Sequence, residues 1–167
     1  MKPLFFAASL LLASAGSCAA AGLNAAQADQ VLNHVKESLA AANSTGCVAV
    51  VDASGLLVAF QRFDNAPPGC VNASIGKART SALYHAPSLK FMQRLQQGET
   101  TVLAIPQAVA LGGGFPLTLH GEIVGAVGVS TPKQELDNQA SESAATALNY
   151  AQPVKDFTLC RLHVADC

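Results

Sequence analysis

Gly112-Gly113-Gly114-Phe115-Pro116-Leu117-Thr118-Leu119-His120-Gly121-Glu122-Ile123-Val124-Gly125-Ala126-Val127-Gly128-Val129-Ser130 is the stretch whose reading decides the fold. Two strand-like runs, Leu117 to Leu119 and Glu122 to Ser130, flank His120-Gly121. A glycine at the second turn position suits a tight antiparallel hairpin. From Ile123 to Val129 the second run is apolar at both parities, so neither of its faces can be left in water. It reads as a central strand covered on both sides. Gly125 and Gly128 leave room in that cover for a helix, a neighbouring backbone or a flat ligand. The triple glycine Gly112 to Gly114 suits a loop with unusual dihedrals and exposed amide donors.

Working outward to the start of the chain, Met1-Lys2-Pro3 is followed by an apolar run from Leu4 to Ala15 and a small-residue tail ending in Ala19-Ala20-Ala21. This pattern predicts a secretory signal peptide over residues 1–21, with a lipoprotein signal at Cys18 as the alternative. The run is short for a bilayer span, and no second hydrophobic stretch follows it, so no transmembrane anchor is expected. Residues 22–152 then form one domain, and 153–167 a cysteine-containing tail. The expected mature chain carries nine basic against eleven acidic residues, net −2, with no basic run. That balance disfavours nucleic acid and anionic membrane as partners. Its cysteines, Cys47, Cys70, Cys160 and Cys167, are even in number, which fits two disulfides in a periplasmic or secreted protein. The preferred pairing staples the tail back, with Cys160 or Cys167 reaching Cys47 or Cys70. A metal knuckle at Cys160-x-x-His163-x-x-x-Cys167 is the alternative.

Asn24-x-x-Gln27 reads as a capping box opening a helix whose buried face is Ala28, Val31, Leu32, Val35 and Leu39. His34 flanks that stripe, either as a half-exposed edge residue or as a ligand to a metal centre. Cys47 to Asp52 and Leu56 to Phe63 are strands joined by the turn Asp52-Ala53-Ser54-Gly55. Arg62 and Asp64, ahead of a loop stiffened by Pro67 and Pro68, read as a substrate clamp or a local ion pair. A second helix, starting after Asn72 or Ser74, carries Ile75, Ala78 and Ala82 inward and Lys77 and Arg79 on other faces. His85-Ala86-Pro87 interrupts it, with His85 capping the last turn. A further helical piece runs from Ser88 to Gln97 and Gly98 closes it. An apolar loop from Glu99 to Pro106 leads to a short strand, Ala108 to Leu111. The last helix is expected from a capping box of Thr131, Pro132 and Gln134, with Leu136, Ala140, Ala144, Ala147, Leu148 and Ala151 packing on the glycine-bearing strand. The order α-β-β-α-α-β-β-β-α predicts an α+β domain, a central antiparallel sheet of about five strands with helices on its faces.

No G-x-S-x-G elbow, Walker loop, dinucleotide fingerprint or H-E-x-x-H is present, and the acidic residues are scattered. Catalysis by side chains alone is poorly supported. The runs Val48–Ala59, Arg62–Ala66, Ile75–Thr80, Gly113–Pro116 and Gly121–Ser130 resemble, in order, the GlcG/HbpS-like haem-binding family, which includes the C-terminal domain of PduO-type proteins. The resemblance covers Leu23 to Tyr150. It implies haem as ligand, cobalamin or another corrinoid as alternative, and a homo-oligomer of two to eight chains. It further implies an exported protein of haem sequestration, sensing or delivery, or else an accessory or enzymatic protein of small hydroxy-acid metabolism. In one branch of the family a threonine ahead of the I-P step holds the iron, and in another a first-helix histidine does. Thr101 and His34 are the residues here at those places. A haem site also needs apolar walls and cations for the propionates. Phe60, Phe63, Phe91 and Phe115 are candidate walls, Lys77 and Arg79 candidate propionate partners, and Gly113 and Gly114 the candidate backbone contact.

Overall fold

The computed structural model describes residues 22–150, so the expected signal peptide and the tail with Cys160, His163 and Cys167 lie outside the described residues. In chain order the elements are α1 (Ala25–Ala41), β1 (Cys47–Asp52), β2 (Leu57–Arg62), α2 (Cys70–Tyr84), α3 (Leu89–Gln96), a 3-10 helix (Thr100–Ala104), β3 (Gly114–Leu119), β4 (Glu122–Ser130) and α4 (Gln134–Ala147). The strands form one antiparallel sheet in the order β2-β1-β4-β3. The fold is therefore α+β as expected, with four strands where about five were predicted.

The strand that does not form is Ala108 to Leu111. Its backbone is drawn onto α2, where Val109 N donates to Thr80 Oγ1 at 2.9 Å and the Val109 side chain lies against Gly76. The place it would take on the sheet is occupied as well: Ser88 N donates to Gly114 O at 3.0 Å, and Gly114 N to Ser88 Oγ at 2.8 Å. β3 instead starts at Gly114 and runs through Pro116, whose missing N–H is harmless on an edge.

Both hairpins close as their turn residues require. His120 and Gly121 have φ of 51° and 83°, the paired positive values of a type I′ turn. Between β1 and β2, Asp52 Oδ1 accepts from Ser54 N and Leu56 N, and Gly55 sits at φ 76°. β1 and β4 are the central pair, which is why Val48 to Val51 and Val124 to Val129 are buried at every position.

α1 and α4 cover one face. Ala28, Val31, Val35 and Leu39 of α1, with Ala140 and Ala144 of α4, pack on Val48, Val50, Leu117, Val127 and Val129. α2 covers the other, where Ala78 and Ala82 meet Ala49, Val51 and Ala126. The α1 capping box forms, with Asn24 and Gln27 exchanging hydrogen bonds of 3.0 and 2.9 Å. α1 and α4 end alike. Asn43 and Asn149 take left-handed φ of 47° and 61°, and the following Ser44 and Tyr150 amides donate back to Leu39 O and Ala145 O. α4 thus stops at Ala147, short of Ala151.

Three local expectations are corrected. α2 begins at Cys70, ahead of Asn72, because Cys70 N and Val71 N donate to the carbonyls of Pro67 and Pro68. α4 begins at Gln134 behind Lys133, without the expected capping box. Thr131 spends its amide on Asp137 Oδ1 and its hydroxyl on Lys133, while the Gln134 side chain reaches Gly112 O. Cys47 pairs with Cys70, joining the start of β1 to the start of α2, so neither is available to the tail as preferred. With Ala66 the pair forms a small buried cluster of its own.

Candidate functional site

The glycine-bearing ribbon is filled by helix backbone. Gly114 and Gly128 face each other across β3 and β4, and the α2 backbone lies directly over both. A Cβ on Gly128 would strike Ser74 O and Ala78 N, and one on Gly114 would strike Lys77 O. The expected neighbour is α4, but α2 is the helix that makes this approach. The triple glycine is buried, and several of its groups are engaged: Gly113 O accepts from Val129 N, Gly114 N donates to Ser88, and Gly112 O accepts from Gln134. Buried in this way, the loop does not present the exposed amide donors expected of it.

What the loop does is let an ion pair pass. Gly113, at φ 107°, lies against Asp137 Cβ and Lys77 Nζ. Lys77, 2 % exposed, donates to Asp137 Oδ2 at 2.7 Å and to Val129 O at 3.1 Å. The other Asp137 oxygen accepts from Thr131 N at 2.7 Å. Burial pushes the Asp137 carboxyl above the ordinary range, against the opposing pull of Lys77 and Thr131. The pair ties α2 on one face to α4 on the other around the end of the sheet. Lys77 was expected on an outer face, for a propionate. The signal that places it inside is the small-residue row Ser74, Ala78 and Ser81 around it, matched by Asp137, Ala140, Ser141 and Ala144 on α4, all of them buried.

The other expected site residues are dispersed. Arg79 Nε donates to Gly55 O at 3.2 Å, beside the β1–β2 turn. Phe63 packs at the core's edge near α1, and Phe115 on the same face over β3. Phe60 lies on the opposite face, and Phe91 stacks edge-on against Tyr84 at 5.4 Å. No aromatic slot results among the described residues. Arg62 donates through Nε and Nη2 to Ala66 O, at 2.9 and 2.6 Å, so it pins its own loop without Asp64. Thr101 is exposed on the 3-10 helix, next to Val102 and the 64 % exposed Leu103. That segment belongs to the α2 layer, since Tyr84 of α2 donates to Pro106 O at 2.6 Å. His34 belongs to the α1–α4 layer, so one protomer does not bring the two candidate ligands together.

His34 is set apart from the other described histidines. His85 and His120 are exposed at left-handed turn positions, whereas His34 is half-buried on a regular helix with Nε2 3.2 Å from Ser143 Oγ of α4. From Ser143 a furrow follows the α1–α4 seam. A part of about 360 Å³ past Ser38, Ala41 and Ala140 adjoins one of about 550 Å³ that reaches Asn43, Lys133 and Gln134. Ala42, Leu136 and Gln139 line both. His34 to Ala42 is about 12 Å of helix rise. The furrow thus has Ser143, the partner of the His34 imidazole, near one end, Lys133 beside Glu135 at the other, and short side chains between. The furrow is an open shelf and not a closed slot.

Comparison with known proteins adds what geometry leaves open. Residues 23–146 match the family model described as haem degrading protein HbpS-like. The chain belongs to the HbpS-like family. Protein GlcG of Escherichia coli K12 is 37 % identical to this HbpS-like chain over 83 residues, half of this chain and 62 % of GlcG, so the match spans under two thirds of that relative. The crystal structure of a double mutant of HbpS from Streptomyces reticuli superposes with a TM-score of 0.71 at 30 % identity, covering 85 % of this chain and 98 % of HbpS. A PduOC complex with haem shares the fold, with a TM-score of 0.70 at 22 % identity over 77 % of this chain and 96 % of PduOC. The HbpS-like match takes in α1 and all four strands, and so contains His34, Lys77 and Thr101.

Proposed function

We propose that this HbpS-like chain is an exported haem-binding protein that sequesters, senses or delivers haem as a homo-oligomer. The observation that carries the reading is the family match over residues 23–146, with haem named in the family's description and bound in the PduOC relative of the same fold. Export is supported by the buried Cys47–Cys70 disulfide, a bond that persists in oxidising compartments.

In this reading His34 is the axial residue, beside the furrow between α1 and α4. An iron-bound imidazole usually has its second nitrogen held by a neighbour, and Ser143 is placed for that. Lys133 would pair with a propionate at the far end, and Leu136 with the alanines would carry the ring. Lys77 is committed to Asp137 and has no part in it. A second reading puts the iron at Thr101, because its hydroxyl is exposed beside Leu103, the most exposed large apolar residue described.

Haemin titration followed by absorbance tests both. The expected result is a saturable Soret band that His34→Ala abolishes or shifts, and that Ser143→Ala weakens by about tenfold. Loss of the band in Thr101→Ala with His34→Ala unaffected moves the site to the 3-10 helix. A flat titration of the folded protein overturns the haem reading, and saturation by cobalamin in its place would identify a corrinoid binder.

A further inference from the structure

Along the outer side of β3 the backbone groups that turn away from β4 are those of Gly114, Pro116 and Thr118, since Val129 N donates to Gly113 O and Phe115 lies opposite Val127. Ser88 engages both groups of Gly114, and Thr118 N donates to Tyr150 O at 2.6 Å. Pro116 has no N–H, and its carbonyl, on a buried residue, meets no donor among the described residues. A buried carbonyl is seldom left unpaired.

At Gly114 the same edge borders a cleft of about 230 Å³ between α3 and α4. Pro87, Leu89 and Phe115 are its apolar walls, and its rim carries Lys90 from α3 and Glu142 from α4. Neither charge has an ion-pair partner among the described residues. The cleft falls below the ~300 Å³ at which small-molecule pockets begin, and suits a large side chain better than a ligand.

We propose that residues 151–157, Ala151-Gln152-Pro153-Val154-Lys155-Asp156-Phe157, return along the β3 edge and seat Phe157 in this cleft. The direction follows from where the described residues stop. The α4 segment leads from Gln134, whose side chain reaches Gly112 O, to Tyr150 at Thr118, and so runs along β3 in the same sense. A continuation parallel to β3 would leave the strand at Leu119, one residue later. An antiparallel return sets Gln152 opposite Pro116, where its N–H meets the open carbonyl. Pairing then ends, because Pro153 has no N–H and Gly114 is already held by Ser88. From Thr118 back to Gly114 is about 13 Å of strand, and the seven residues after Tyr150 can span about 23 Å, so Phe157 can reach the cleft. Its neighbours match the rim in charge, Asp156 being opposite in sign to Lys90 and Lys155 to Glu142. The inference does not rest on the haem reading, since the cleft includes neither His34 nor Thr101.

Hydrogen exchange of individual amides in the mature chain tests it. The expected result is a Gln152 amide that exchanges at least about tenfold more slowly than in an unstructured peptide of the same sequence, at every protein concentration. Phe157→Asp should keep the circular dichroism of the parent and bring that amide to the peptide rate. On the rim, Glu142→Lys changes an exposed side chain and should speed Gln152 exchange about twofold to threefold, and adding Lys155→Glu should slow it again. A Gln152 amide at the peptide rate in the parent chain overturns the proposal, as does protection that survives Phe157→Asp in a folded chain. Protection that disappears on dilution overturns it too, because the segment then lies on another copy.

Discussion

On one face of the sheet, α1 and α4 meet Val48, Val50, Val127 and Val129 through aliphatic side chains; on the other, α2 lays its backbone on Gly114 and Gly128. The first face is a conventional core in which volume is shared among many side chains. The second is a close approach with almost no side chain between, and its buried positions after Cys70 are Ser74, Lys77, Ala78, Thr80, Ser81 and Ala82. Side-chain cores can relax around a change, whereas backbone against backbone cannot. The α2 face is therefore the stringent one, and it holds the ion pair that links both layers.

The sharpest break of that contrast is Gly128→Val. Its side chain would meet Ser74 O and Ala78 N, and we expect a loss of more than about 4 kcal/mol, enough to leave the chain unfolded in thermal melts. Next is Lys77→Met, which strands the Asp137 carboxylate in a dry site at a cost of about 3–5 kcal/mol. Combining it with Asp137→Asn, which still accepts from Thr131 N, should restore at least half of that loss in denaturant titrations. Val35→Ala on the α1 face removes fully buried methyls and should cost about 1–3 kcal/mol with an unchanged fold by circular dichroism. A Val35→Ala loss larger than that of Gly128→Val would reverse the ranking of the two faces.

The smallest expected effect is on pH dependence. Burial raises the Asp137 carboxyl in the folded chain, so between its ordinary and raised values the folded state holds a proton that the unfolded state releases. Its contribution to stability is greatest below the ordinary carboxylate range and declines as pH climbs through the raised value. Measured against Lys77→Met alone, the Lys77→Met, Asp137→Asn double variant should lack the slope that Asp137 contributes to a plot of melting temperature against pH.

Much of this was legible in the residues. His120-Gly121 and Asp52 to Gly55 specify turns whose dihedrals few other residues adopt, and the Asn24–Gln27 box with its aliphatic stripe specifies α1 down to the buried positions. The α+β class followed from those hairpins and the helices between them. The site was far less legible. His34 stands out only when Ser143, 109 residues away, comes beside it. Lys77 looked like a surface cation because local periodicity does not show that a partner 60 residues on will neutralise it. The fifth strand failed for a similar reason. Ala108 to Leu111 has strand composition, but Thr80 and Ser88 had already taken the hydrogen-bonding positions.

Left to itself, the sequence determined the elements, their turns and caps, and the family to which they belong, because these depend on neighbours within a few residues. The tertiary structure alone decided which helix presses on the glycines, which cysteines join and which charge is buried. Each of those is a contest between distant segments for one space or one hydrogen-bonding group, and only the packed chain shows which segment took it.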